Sequence, residues 1–308
     1  MEKAVGHLAA GDLVAFPTET VYGLGADACN EVAVERIYQV KARPADHPLI
    51  VHIASMDGLD DWARDVPEYA IALARDFWPG PMTLIVQRSR LAKDFITGGQ
   101  DTVGLRVPNH VVALAFLEAF EKTGGKGIAA PSANRFGHVS PTTAAAVVEE
   151  LGDYLAPTDL VLDGGACAVG VESTIIDCTG DTPRILRPGA ISDEMVSEST
   201  GLEIQLSTNS EIRVSGSLEK HYAPAAKVYL DQPPVTGQGF IAPADIATPE
   251  GVIRLATPSN NDEFAQILYV SLREADAQGL SEVVVMQPVG GGIVKAIRDR
   301  LSKAANGR

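Results

Sequence analysis

Between about Gly201 and Ser217 the sequence turns polar and loses its apolar periodicity, and Pro224 and the pair Pro233-Pro234 follow soon after. Such a stretch has too few regularly spaced apolar side chains to bury itself, so it reads as a connection between two packed units. The length of 308 residues agrees, since single hydrophobic cores stop growing near ~250 to 300 residues. The boundaries expected are a larger unit over 1–205, a linker over 206–226 and a smaller unit over 227–308.

Helical and strand patterns alternate before the seam, as in a mixed α/β unit. Ala33, Ile37 and Val40 share one helical face. Pro67 suits a first helical turn, Ala70, Leu73 and Phe77 recur at helical spacing, and Pro79-Gly80 ends that element. Met82 to Val86, Thr102 to Val107 and Gly127 to Ala130 read as strands, and the run from His110 as a helix closed by Gly124. Beyond the seam, KVYL, GVIRL and EVVVM read as strands. A helix starting near Asn261 turns Phe264, Leu268 and Ala275 inward before Gly279, and a last helix carries Ile293, Ile297 and Leu301.

Composition excludes several classes of function. No apolar run reaches the roughly 20 residues that span a bilayer, and the first residues lack a secretory pattern, so a cytoplasmic protein is expected. Cys29, Cys167 and Cys178 have no metal-binding or disulfide spacing. A net charge of −15 argues against broad contact with a phosphate backbone, so direct tRNA binding is expected to be weak or absent. No phosphate-loop motif occurs, and Gly23-Leu24-Gly25 is only a fragment of a dinucleotide fingerprint.

Four polar clusters stand at the ends of apolar elements, where a scaffold can hold reactive groups at a cleft. Thr18, Thr20 and Tyr22 carry hydroxyls beside close-approach glycines. Lys41 and Arg43 follow a helix and suit a phosphate clamp, although they equally complement the negative end of its dipole. His47 follows them, a residue more often structural than catalytic. Ser132 and Asn134 offer a hydroxyl and an amide to an adenylate, or form an ordinary polar turn. Ser173 and Thr174 open an apolar strand, with Arg187 close behind.

Taken in order, PTETVYGLG, Lys41-x-Arg43, HPL, Ser132-x-Asn134, SPTTA, DGG, VGVESTI and ILRPG resemble the YrdC-domain family, specifically its two-domain threonylcarbamoyl-AMP synthases. Ser215-Gly216 followed by His221-Tyr222-Ala223-Pro224 resembles the connecting segment of the two-domain form. The resemblance implies a YrdC-like twisted mixed sheet with helices, a small Rossmann-like α/β C-terminal unit, and a linker that covers the active site.

The chemistry it implies condenses L-threonine, bicarbonate and ATP into threonylcarbamoyl-AMP and pyrophosphate for the modification of tRNA. By that resemblance Lys41, Arg43, Arg106, Ser132, Asn134, Arg187 and Tyr222 contact ATP, with Lys41 and Arg43 also catalytic. Thr18, Thr20, Tyr22, His47 and Ser173 fall on segments that line the threonine pocket. Mg2+ is expected on the triphosphate without a protein cage, and a tRNA threonylcarbamoyl-transferase is expected to receive the product. Two other readings are carbamoyl transfer in hydrogenase maturation, whose zinc-finger cysteines this chain lacks, and an RNA-binding module, which the negative charge opposes.

Overall fold

The computed structural model describes residues 1–206, 212–216 and 221–307. The first part runs α1 (Glu2–Ala9), β1 (Val14–Phe16), β2 (Gly23–Asp27), α2 (Glu31–Lys41), β3 (Ile50–His52), α3 (Leu59–Trp62), α4 (Glu68–Phe77), β4 (Met82–Gln87) and α5 (Asp94–Thr97). It continues through β5 (Thr102–Arg106), α6 (Val111–Lys122), β6 (Ile128–Ala129), α7 (Ala144–Leu151), β7 (Leu160–Val161), β8 (Thr174–Asp177), β9 (Arg184–Arg187), α8 (Asp193–Thr200) and β10 (Gln205–Leu206). The second part holds β11 (Lys227–Leu230), β12 (Gly239–Ile241), β13 (Ile253–Ala256), α9 (Asn261–Ala277), β14 (Glu282–Val285) and α10 (Ile293–Ala305).

Among the described residues the strands form two sheets, a mixed one ordered β10-β9-β8-β4-β5-β3-β6-β2-β1-β7 and a parallel one ordered β11-β14-β12-β13. The centre of the first sheet is the apolar run MTLIVQ, buried along nearly its whole length as a strand covered on both faces must be. Its Leu84 lies opposite Leu105 of β5 on one side and Ile176 of β8 on the other.

Local signals explain how the helices that flank the site begin and end. The Asn30 side chain accepts the Ala33 N–H (3.2 Å) to start α2. Ala42, with φ of 49°, stops it in the left-handed region. That sharp reversal sends Lys41 and Arg43 to different surroundings. The strand read at Gly127 to Ala130 is only the pair Ile128–Ala129, which bridges β2 and β3. The linker expected over 206–226 lies in part outside the described residues.

The two sheets share buried surface. Phe264, Leu268 and Leu272 of α9 and Ile297 and Leu301 of α10 pack on Val228, Ile241 and Val283, and the same cluster includes Val21, Val139 and Val171 from the first part. Gly170 makes this approach possible: a Cβ there would stand 2.4 Å from the Gln266 Cα, and its φ is +80°. The loop from Val169 to Ser173 is therefore wedged between both parts before β8 begins.

Candidate active site

Above the ends of β3, β5, β8 and β9, one cavity gathers most of the polar clusters read from the sequence. Thr18, Thr20, Arg43, His52, Arg106, Ser132, Glu172, Ser173 and Arg187 line it, and Ser215, Gly216, His221 and Tyr222 close it. The space enclosed is about 50 Å3, far below the ~300 Å3 or more of a pocket holding a small ligand.

Three guanidinium groups converge there, Arg43 from the turn after α2, Arg106 from β5 and Arg187 from β9, all of them buried. Arg43 donates to the carbonyl of Pro48 (3.0 Å) and to the Ser215 hydroxyl (3.1 Å), and its Nε has no partner among the described residues. Burial pulls its pKa down to about 10, so it stays charged at neutral pH. Arg187 donates from Nε to the Ser173 carbonyl, from Nη2 to the Ser173 hydroxyl and from Nη1 to the Ser215 carbonyl, each at 3.0 Å. Burial lowers its pKa too.

Arg106 Nη2 stands 2.8 Å from Glu19 Oε2, close enough for an ion pair. Even so, among the described residues both Glu19 oxygens and Arg106 Nε and Nη2 lack a partner of hydrogen-bond geometry. Proximity here is not direction, and the N–H groups stay free to point elsewhere. Behind them His52 stacks edge-on against Phe16 (5.7 Å between centroids), and its Nδ1 has no partner among the described residues. Burial, then the Arg106 charge, hold its pKa at about 3, so the ring is neutral at physiological pH.

Glu172 is the most heavily bonded acid of the site. Its Oε1 accepts from the Ser140 hydroxyl (2.6 Å), and its Oε2 accepts from the Tyr269 hydroxyl (2.9 Å) and from Arg300 Nε (2.8 Å). Burial alone would raise its pKa, but Arg300, then Arg187, and the hydrogen bonds from Ser140 and Arg300 bring it down to about 2. Such a carboxylate is permanently ionised and is no proton acceptor at neutral pH. Tyr222, with φ of 60°, stacks on Tyr269 (5.8 Å) beneath the Arg300 guanidinium (5.2 Å), its hydroxyl against Gly216.

Four residues singled out in the sequence do not line the cavity. Lys41 is fully buried behind the wall, where its ammonium donates to the carbonyls of Ser132 (2.6 Å) and Asn134. Burial and then Arg43 push its pKa well down. Asn134 donates to the carbonyls of Arg135 and His138, both at 2.8 Å, so with Lys41 it shapes the turn that presents Ser132. The Tyr22 hydroxyl is turned away, donating to the Gly165 carbonyl (2.8 Å) and accepting the Gly164 N–H (3.1 Å). His47 is half-buried, edge-on to Phe136 at 5.3 Å.

Three functional candidates were missed. Glu19 and Glu172 stand inside PTET and VGVEST, where an acid beside hydroxyls was the available signal, and His52 ends an apolar strand and reads as an ordinary core histidine.

The family model described as "Telomere recombination" matches residues 7–189, and that described as "Threonylcarbamoyl-AMP synthase, C-terminal domain" matches residues 191–306. The second match begins before α8, within the part of the chain that builds the first sheet. The chain is 39% identical over 326 residues to the threonylcarbamoyl-AMP synthase of Pyrococcus abyssi, covering 99% of this chain and 94% of that protein. It is 37% identical over 328 residues to that of Bacillus subtilis, covering 99% and 93%. The crystal structure of P. abyssi Sua5 complexed with L-threonine superposes with a TM-score of 0.88 at 38% identity, covering 99% of this chain and 94% of that one. The crystal structure of E. coli YciO shares the fold of 60% of the chain, with a TM-score of 0.51 at 24% identity and 86% of that chain covered.

Proposed function

The chain belongs to the two-domain threonylcarbamoyl-AMP synthases, and from that premise we propose how its cavity performs the reaction. The enzyme condenses L-threonine, bicarbonate and ATP into threonylcarbamoyl-AMP and pyrophosphate, the activated intermediate for threonylcarbamoyladenosine in tRNA. The threonine nitrogen takes up the carbon of bicarbonate with loss of water. A carbamate oxygen then attacks the α-phosphorus of ATP, and pyrophosphate leaves.

The observation that carries this reading is the convergence of Arg43, Arg106 and Arg187 on one cavity that also presents the hydroxyls of Thr18, Thr20, Ser132 and Ser173. Adenylation needs reactants held in line and the negative charge of the leaving group neutralised, not an enzyme nucleophile. Planar guanidinium forks suit phosphate and carboxylate oxygens. Thr18, Thr20 and Ser173 offer hydrogen bonds to the amino acid, while Ser132 faces the adenylate. Lys41 and Asn134 act from behind, fixing the turn that carries Ser132.

ATP enters when the segment bearing Ser215, Gly216, His221 and Tyr222 lifts, and the cavity excludes water when it returns. Of the linker expected over 206–226, Ser215, Gly216, His221 and Tyr222 are in this reading the described part that covers the site. No group of three or more His, Cys, Asp or Glu among the described residues is arranged for a metal, and Glu19 and Glu172 face guanidiniums. Magnesium bound to ATP would supply neutralisation of the triphosphate charge, held by phosphate and water ligands rather than by a protein cage. The product passes to a tRNA threonylcarbamoyl-transferase. No described helix is long and apolar enough to cross a membrane.

The test is to incubate the protein with ATP, magnesium, labelled bicarbonate and single amino acids, and to detect the adenylate by mass spectrometry with pyrophosphate release. Product that requires both threonine and bicarbonate is expected. Pyrophosphate formed without threonine would assign a different carbamoyl acceptor.

A further inference from the structure

Arg300 lies on α10, more than a hundred residues beyond the last strand residue that lines the cavity, and it does not line the cavity itself. It is nevertheless 1% exposed and touches three of the cavity's supports at once. Its Nε donates to Glu172 (2.8 Å), its Nη2 donates to the Pro188 carbonyl (3.0 Å), and its plane covers the Tyr222 ring at 5.2 Å. Each support is coupled directly to a reactive wall. Glu172 precedes Ser173, Pro188 follows Arg187, and Arg187 holds Ser173 and Ser215 through three hydrogen bonds.

We propose that Arg300 of the small unit is a positioning residue for the synthase reaction, fixing the Glu172-Ser173 loop and the Arg187 guanidinium in register with Tyr222. A fork is required because two acceptors in different loops, Glu172 before β8 and the Pro188 carbonyl after β9, are reached from one side chain, which a lysine ammonium on a single stem does less well. Charge supports the same assignment. Glu172 lies between Arg300 and Arg187, with Tyr269, Tyr222 and His221 as its other titratable neighbours. Removing Arg300 leaves a buried carboxylate short of one of two cations and frees the loop wedged at Gly170.

The proposal rests on the synthase reading, and the experiment separates the two. Threonine- and bicarbonate-dependent product formation is measured for the wild type, Arg300→Lys, Arg300→Met, Glu172→Gln/Arg300→Met and Lys295→Ala. Lys295 lies on the same helix and also bridges to the first part, through exposed ion pairs with Asp193 and Glu194, so its variant controls for loss of any interdomain contact. No product from the wild type would overturn the synthase reading itself.

With an active wild type, Lys295→Ala is expected within about twofold of it. Arg300→Lys should fold with an unchanged melting temperature to within a few degrees, yet raise the threonine KM on the order of tenfold. In Arg300→Met, activity should also fall toward acid pH as the less compensated Glu172 takes up a proton, a limb absent from the double variant. If Arg300→Met does not fold, Arg300→Lys alone decides. A wild-type threonine KM in Arg300→Lys, or a loss confined to the amount of folded enzyme, would overturn the positioning role.

Discussion

His52 and His221 set the acid limit of this protein. Both are buried, and burial comes first among the causes that hold each at a pKa of about 3, against 6.5 for a free histidine. The unfolded chain therefore binds these protons below pH 6.5 while the folded chain does not, so stability must fall as pH drops through that window. Each ring costs roughly 2 kcal/mol by about pH 5. Glu172 acts in the same direction over a lower window, since its folded pKa of about 2 lies below the ordinary 4.5 and its contribution is lost only as pH falls between those values. Urea midpoints at neutral pH and near pH 5 should show the fall, and His52→Gln should remove about half of it; an unchanged pH dependence would mean that the ring is solvated. A sequence gives no access to such values, because a histidine ending LIVHI has the same neighbours whether it faces water or a cavity.

At the scale of elements, the loop between β7 and β8 decides how the two parts meet. Val169 N–H donates to the Glu19 carbonyl (2.7 Å), Val171 enters the core of the second part, and Gly170 touches the α9 backbone. Gly170→Ala meets both a positive φ and a backbone atom that cannot yield, so a loss of about 2 to 4 kcal/mol is expected. Gly165 serves as the comparison: its φ is +83° but nothing lies within 4 Å of its Cβ position, and Gly165→Ala should cost only ~1 kcal/mol of backbone strain. Denaturant midpoints of the two variants measure the difference, and equal losses would show that φ alone matters at Gly170. The pattern VGVEST announced a strand start but not this close approach, which depends on a helix a hundred residues later.

Over the whole molecule, charge constrains partners. The net charge is −15, and the surface groove that collects Arg64, Arg88, Arg90 and Lys93 also holds Glu31, Asp94 and Asp101. Arg88 is paired with both aspartates. A mixed surface of this kind gives little sequence-independent attraction for RNA, so no mobility shift of tRNA is expected at ~10 μM protein and ~0.15 M salt. A salt-sensitive shift under those conditions would reveal a basic tract that net charge conceals.

Apolar periodicity by itself determined most of the long helices and the central strands, because burial of one face repeats every turn or every second residue within a few neighbours. Motif order placed Thr18, Thr20, Arg43, Arg106, Ser132, Ser173 and Arg187 at one site, and the cavity holds all of them. Tertiary structure alone decided direction. It turned the Tyr22 hydroxyl onto Gly165, sank Lys41 behind Ser132, brought His52 and Glu172 to the cavity wall, and carried Arg300 to Glu172. Those outcomes depend on contacts between residues far apart in the chain, whose geometry is fixed only when both sheets have packed.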